Sequence, residues 1–384
     1  MKKFLDCISI VGATPSKFHG TKKYVSTGAV ATTEIDESEV VEVTYEDRPS
    51  RANLSAEAGD ILFAKMQGTR KTLLLDSETE ENIYSTGFYA VRANPEVITT
   101  ECLYYLIDSE LFLAQKDKNC SGATQKAITN GGMAKIEISV PALSEQGILV
   151  NKLKHLTQLI ADKKKQLNLF DEIIKSRFIE MFGDPKRNPR KWDMVTIGDI
   201  ATDVRYGTSR PATEGGKYPY LRMNNLTYEG YLDLTDLKHI DIPDNEVEKC
   251  VVRNGDVLFN RTNSVELVGK TCVYNLDSDM IIAGYIIRVR IDDRVLPVIL
   301  SSYLNSTVMK EQLRSMAKGA VNQANINAQE LRSIPIYLPP ITLQHEFATF
   351  VEQVDKSKFY IVQMQILLRL LTRAIQQKTT EVLL

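Results

Sequence analysis

A large part of this chain is written twice. The stretch "AGDILFAKMQG" at 58–68 returns as "NGDVLFNRTNS" at 254–264, which sets Gly59-Asp60 against Gly255-Asp256 at an offset of 196. "TGFYAVR" at 86–92 returns as "AGYIIRV" at 283–289, an offset of 197, and "SGATQKAITNGGMAKIEISVP" at 121–141 as "KGAVNQANINAQELRSIPIYLP" at 318–339. Gln146 then matches Gln344 at an offset of 198. A unit of this length is a duplicated domain, since solenoid repeats run to only about 20–45 residues. Two similar domains on one polypeptide present two similar surfaces, which suits a target that is itself roughly two-fold.

Within each copy, short runs rich in β-branched and aromatic residues ("DILFAKM", "GFYAVRA"; "DVLFNRT", "AGYIIRVRI") are bounded by Gly, Asn and Asp and read as strands. "ECLYYLIDSELFLAQKD" and "VILSSYLNSTVMKEQLRSMA" place apolar residues at helical spacing, so each globule mixes sheet and helix. After Pro141, and again after Pro339-Pro340, the pattern changes in kind. Leu149, Leu153, Leu156, Ile160, Leu167, Phe170, Ile174 and Met181 follow steps of four and three, with Lys163 and Arg177 in the remaining places. Phe347, Val351, Val354, Ile361, Met364, Leu368, Leu371, Ile375 and Val382 continue in the same way, interrupted by Lys358 and Lys378. These are heptad seams. At 1.5 Å per residue, about 40 residues make a rod of roughly 60 Å, and neither helix is stable without a partner. The fold expected is α+β: two similar mixed α/β domains, at 1–142 and 183–339, and two long helices, at 143–182 and 340–384, forming an antiparallel coiled coil with pseudo-two-fold symmetry.

Composition sets the setting. With 43% hydrophobic and 25% charged residues the chain folds as a globular protein and has no apolar run of the length a membrane span needs. The opening "MKKFLDCISIVGATP" carries no signal-peptide core, so a cytoplasmic location is expected. Five cysteines without a Cys-x-x-Cys pair suit neither a disulfide framework nor a zinc site. The formal net charge of -2 conceals an uneven distribution. Residues 34–60 hold nine acids against Arg48 and Arg51, whereas 151–192 hold eleven Lys and Arg against five acids. The basic segment suits either a solvated helix face or proximity to phosphates.

The motifs of catalysis are missing. "VGKT" at 268–271 resembles the end of a nucleotide-binding loop, but Ser264 stands where that loop needs glycine. The four histidines never form His-Glu-x-x-His, "DPK" at 184–186 has no acidic partner at a nuclease-like spacing, and no Gly-x-Ser-x-Gly or Gly-rich cofactor segment occurs. No metal and no cofactor are expected, and recognition or scaffolding is the role left open.

The order of several segments resembles one family, the DNA-specificity subunits of type I restriction-modification systems. They are "MFGDPKRNPRKW" at 181–192, "WDMVTIGDI" at 192–200, the paired Gly-Asp-Ile/Val-Leu-Phe strands, and the helix entries "ISVPALSEQ" and "IYLPPITLQ". The resemblance implies a non-catalytic chain in which each globule is a target recognition domain reading half of a bipartite, gapped site in double-stranded DNA. It also implies that the coiled coil spaces the two domains and docks two adenine methyltransferase subunits, with restriction (translocase/nuclease) subunits added. The alternative is a degenerate scaffold whose coiled coil, with Leu153, Leu156, Ile160, Leu167, Phe170, Ile174, Val351, Val354, Ile361, Leu368, Leu371 and Ile375 in its seam, binds partners while the globules read nothing.

Base-reading candidates follow from chemistry and placement, because Arg, Lys, Asn and Gln on loops after matched strands can contact base edges. In the first domain these are Lys65, Gln67, Arg70 and Lys71, supported by Gln125, Lys126, Lys22 and Lys23. In the second they are Arg222, Asn224, Asn225, Asn260, Arg261 and Asn263, joined by Arg205, Arg210, Asn322 and Gln323. Tyr206 and Tyr218 are expected to pack. The first domain lacks the tryptophan lead-in that Trp192 gives the second, so its first strand is expected to be abbreviated.

Overall fold

The computed structural model describes residues 1–320 and 323–381, and the side chains of 318–320, 323 and 378–381 are outside the description. The chain divides into two compact units, Met1–Lys164 with Val362–Leu384 and Lys165–Ile361. The division falls inside both long helices, α1 (Leu143–Phe182) and α2 (Ile341–Glu381), and not at their ends.

Eight strands form the body of the first unit: β1 (Ile8–Val11), β2 (Lys22–Val25), β3 (Val41–Val43), β4 (Ala52–Leu54), β5 (Ile61–Ala64), β6 (Thr72–Leu74), β7 (Ile83–Ser85) and β8 (Phe88–Ala93). They make two four-stranded sheets in the orders β1-β8-β5-β6 and β3-β2-β7-β4. The second unit repeats them as β9 (Ala201–Tyr206), β10 (Tyr218–Leu221), β11 (Lys238–Ile240), β12 (Val251–Val252), β13 (Val257–Asn260), β14 (Thr271–Val273), β15 (Met280–Ile282) and β16 (Ile286–Ile291). Its orders are β9-β16-β13-β14 and β11-β10-β15-β12. Even the single parallel pair recurs, β2 with β7 and β10 with β15. The duplication is therefore one of topology, strand for strand.

The Gly-Asp motif has a structural explanation. Gly59 and Gly255 take φ of +87° and +92°, a left-handed turn that a side chain resists. The buried aspartate that follows ties the turn down: Asp60 accepts from the Glu57 amide and Asp256 from the Arg253 amide, each at 2.9 Å. Each aspartate also receives an arginine from the neighbouring strand, Arg92 at 2.6 Å and Arg290 at 2.8 Å. The Leu-Phe pair beyond it then enters the core, since Leu62, Phe63, Leu258 and Phe259 are all buried.

These arginines reveal the true register of the repeat. β5 pairs Ile61 with Val91 and β13 pairs Val257 with Val289, so β8 and β16 correspond at 198 residues and not at the expected 197. The amide of Lys65 meets the carbonyl of Gly87 where the amide of Arg261 meets that of Tyr285. β7 and β15 already correspond at 198, Tyr84 with Ile282, so the added residues lie before them, in the loop 261–270 that is longer than 65–71. A slip of one residue exchanges the two faces of a strand, which is why the shift matters.

The expected shortening of the first edge strand is present: Lys2–Lys3 pairs with Glu137–Ile138 over two residues, Asp193–Thr196 with Pro335–Leu338 over four. Trp192 anchors the second unit by donating to the Phe182 carbonyl at 3.0 Å.

Both long helices are seated in the globules by their ends. In the first unit Leu149 and Val150 of α1 pack on the cluster of Phe4, Phe63, Val91 and Leu103. In the second, Phe178 and Phe182 of α1 and Phe347 of α2 join the core of Val257, Ile287 and Tyr337. The helices run antiparallel. Gln365 reaches the Ile160 carbonyl in the first unit, and Lys358 bonds Asp171 in the second. Along α1 the expected seam from Leu149 through Leu153, Leu156, Ile160, Leu167, Phe170 and Ile174 is the shielded one. Along α2, Val351, Val354, Ile361, Leu368 and Ile375 are shielded, but Met364 and Leu371 are 45% and 46% exposed. Gln365 and Thr372 take the inward places, which keeps the four-three stepping unbroken from Phe347. Expected seam positions Lys378 and Val382 lie outside the described side chains.

Candidate nucleic-acid interface

In the second unit, the candidates that were scattered in sequence meet at one cleft of about 530 Å³. Arg210, Arg222, Asn224 and Arg261 line it together with Pro211, Tyr220, Met223 and Tyr285. Four segments bring them there: the loop after β9, the loop after β10, the start of the loop after β13 and the turn that opens β16.

The arginines differ in how far they are already committed. Arg210 makes two bonds to the Glu246 carboxylate, at 3.1 and 2.7 Å. Arg222 gives Nη2 to Asp236, to the carbonyl at 3.0 Å and the carboxylate at 2.7 Å. Arg261 stands over the Tyr206 ring at 4.9 Å and makes one long bond to the Gly284 carbonyl, 3.4 Å. The Nε atoms of Arg222 and Arg261 are both shut off from solvent without a hydrogen-bond partner. Arg205 lies apart, bonded to Asp203 at 2.7 Å.

Several expected readers have their polar atoms turned inward. Asn225 is buried, accepting from the Arg222 amide and donating to the Asp233 carbonyl, so it shapes the loop that carries Arg222 and Asn224. Asn260 is buried as well and donates to the carbonyls of Thr262 and Tyr285, while Asn263 donates to Asn260. Both asparagine amides are consumed by the backbone they support. Asn224 is exposed. Gln323 sits on a strand paired with Lys318–Ala320, its side chain undescribed, and Asn322 lies outside the described residues.

In the first unit the candidates spread over separate places. Lys65, Gln67, Gln125 and Lys126 gather where the end of β5 meets the loop 121–127, through the Gln67 amide bonded to the Lys126 carbonyl at 2.9 Å. Gly122 makes that loop possible: its φ is +134°, and a Cβ would stand 2.6 Å from the Gln125 carbonyl oxygen. Gln125 and Lys126 are exposed. Lys65 donates to the Thr86 carbonyl at 2.9 Å over the Tyr89 ring, and partial burial lowers its pKa. Gln67 donates to the Asp117 carbonyl.

Lys71 is spent differently, on the Thr27 carbonyl at 2.5 Å, and its counterpart Lys270 does the same to Met223. Arg70 is gripped by Asp108, whose hydrogen bond raises the arginine's pKa. Lys22 and Lys23 pair with Glu81 and Glu37 at 3.1 and 2.8 Å.

Tyr285, half exposed at the cleft mouth, was not among the sequence candidates. The signal for it was the true offset of 198, which sets Tyr285 against Gly87 and which the approximate 197 concealed. Tyr206 does pack, its hydroxyl accepting from the Ala328 amide at 2.8 Å. Among the described residues no helix is long and apolar enough to cross a membrane, and no group of His, Cys, Asp and Glu could hold a metal ion.

Two copies of one sheet topology, one of them carrying a cleft lined by arginines, define a duplicated-domain protein. The family described as type I restriction modification DNA specificity domain matches residues 10–169 and 189–371, and the chain belongs to it. Its role is that of a DNA-specificity polypeptide in a type I restriction-modification system. The type I restriction enzyme EcoKI specificity subunit of Escherichia coli (strain K12) is 23% identical over 77% of this chain and 67% of its own length. The StySPI specificity subunit of Salmonella potsdam is 23% identical over 70% of this chain and 62% of its own. A solved chain from work on complex assembly and conformational transition of the type I R-M system superposes with a TM-score of 0.55 at 22% identity, covering 97% of both chains, which is a likeness of fold.

Proposed function

We propose that each unit reads one half of a bipartite, gapped site in double-stranded DNA, and that the chain brings two adenine methyltransferase subunits and the restriction subunits to that site. The observation that carries this is the contrast between framework and surface. The Asp-Arg ties recur unchanged, whereas the loop that follows the Gly-Asp strand runs over 65–71 in the first unit and over the longer 261–270 in the second. Two frameworks alike with two surfaces unlike suit two different half-sites.

The continuous helices would fix the unread gap, so that one heptad added to both lengthens it. Outward apolar residues of α2 such as Ile366 and Leu367, 48% and 66% exposed, support docking of partner subunits. In this reading the chain performs no chemistry itself and works in the cytoplasm, where the DNA is.

Mapping methylated adenines in cells that express the neighbouring methyltransferase, with and without this chain, tests the proposal. Modification at a two-part motif of constant gap, appearing only with the chain, is the expected result. Partner binding with no such motif would leave a scaffold in its place.

A further inference from the structure

The cleft of the second unit is concave, and that restricts what can enter it. In a duplex the base edges lie on the floors of the grooves, where protruding helices, strands and loops reach them, whereas the sugar-phosphate ridge stands outward. A hollow in the protein receives a ridge. The donors point the same way. Reading guanine side-on takes the Nε and Nη2 N–H groups of one arginine together, but Arg210 gives that pair to Glu246, Arg222 gives Nη2 to Asp236, and the Nε atoms of Arg222 and Arg261 are shut off from solvent. What remains is charge and the terminal Nη donors, which suffice for a phosphate oxygen. Arg261 has no carboxylate partner among the described residues.

We propose that this cleft clamps a backbone phosphate of the half-site read by the second unit, with Arg261 and Arg222 as the anion-binding groups and Tyr285 as the wall against the adjoining sugar. The proposal rests on the reading of the chain as a DNA-specificity polypeptide. It also makes the units unequal. In the first, Ser26 replaces Arg222, Gly87 replaces Tyr285, and Lys65 turns its amine to the Thr86 carbonyl, so no counterpart of the clamp exists there. Arg222 and Arg261 therefore contribute affinity and salt dependence, and leave the identity of the bases to other loops.

The test uses the full chain in complex with its methyltransferase subunits and a duplex carrying the mapped site. Arg261→Ala and Arg222→Ala should each weaken binding about three- to tenfold. The factor should be the same for the mapped duplex and for one with scrambled half-sites, and the slope of log affinity against log salt should fall by about one. The methylated motif should not change. A methylphosphonate placed at successive linkages through both half-sites should weaken the wild type at one linkage and have no further effect there on Arg261→Ala.

Arg261→Lys, which keeps the charge, should retain the slope, and unaltered melting of all variants excludes misfolding as the cause. Relaxation of the motif at one base with an unchanged slope would overturn the proposal in favour of base reading. Unchanged binding and slope would overturn it in favour of a purely structural role. A wild-type complex without preference for the mapped site would instead remove the DNA-specificity reading on which the proposal stands.

Discussion

Lys358 of α2 bonds Asp171 of α1 while its ammonium stands 3.7 Å over the ring of Tyr231, so one side chain joins both helices to a loop of the second unit. Both members of the pair are largely buried, and a second carboxylate, Asp355, lies close by with one oxygen lacking a partner. Burial raises the pKa of Asp355 above 3.8 despite the nearby lysine.

Replacing that lysine should therefore be costly in a pH-dependent way. Lys358→Met leaves buried carboxylates uncompensated, and thermal unfolding near pH 7 should show a loss of about 3 kcal/mol. A carboxyl whose folded pKa exceeds its unfolded value takes up a proton in the fold first, so stability rises as pH falls through the folded value toward 3.8. The deficit of the variant should shrink in that window. A deficit independent of pH would refute this account.

Lys310 makes the opposite prediction at alkaline pH. Its amine is buried against the Gly269 carbonyl at 2.7 Å, and burial, reinforced by Arg314, Lys270 and Lys175, lowers its pKa to about 7. Between that value and the ordinary 10.5 the unfolded chain binds the extra proton, so stability should rise with pH across this window. Lys310→Met should abolish that rise and melt higher than the wild type at pH 7. Chemical denaturation of both proteins from pH 7 to 10 checks it.

Gln146 and Gln344 act as matched amide clamps. Gln146 accepts from the Thr99 amide at 2.7 Å and donates to the carbonyls of Val97 and Pro141, and Gln344 accepts from the Leu296 amide at 2.9 Å and donates to those of Arg294 and Pro339. Both are fully buried. Substituting either by alanine should cost about 2–4 kcal/mol, because three backbone groups lose their partner. The two share no partner, so their costs should add within about 0.5 kcal/mol in the double variant, as denaturant titration would show.

The helical seam offers a sharper comparison. Leu153→Ala, at a fully buried position, should cost about 3 kcal/mol. Leu371→Gln, on the exposed side of α2, should cost less than about 0.5 kcal/mol. Equal losses would restore Leu371 to the seam.

Leu371 also marks where sequence reasoning reaches its limit. Periodicity located both long helices, and repeated segments located the duplication, because those signals are carried by many residues at once. Beyond Ile361 it followed apolar residues outward to Met364 and Leu371, since Gln365 and Thr372 are polar by composition yet inward by geometry. The site had the same difficulty. Donor groups are visible in a sequence, but not what consumes them, and for Asn225, Asn260 and Lys71 the consumer is a backbone carbonyl distant in sequence or hidden in a loop. Arg210, Arg222, Asn224 and Arg261 share one cleft because loops that sequence alone cannot fold happen to close on each other.

The division of the chain inside its two long helices has a consequence for synthesis. Residues 165–361 form one unit without interruption, whereas the other needs 362–384 in addition to 1–164. On the ribosome the domain begun first is thus completed last. Until α2 emerges, the face of α1 around Leu153 and Leu156 has no partner and must be kept from wrong ones.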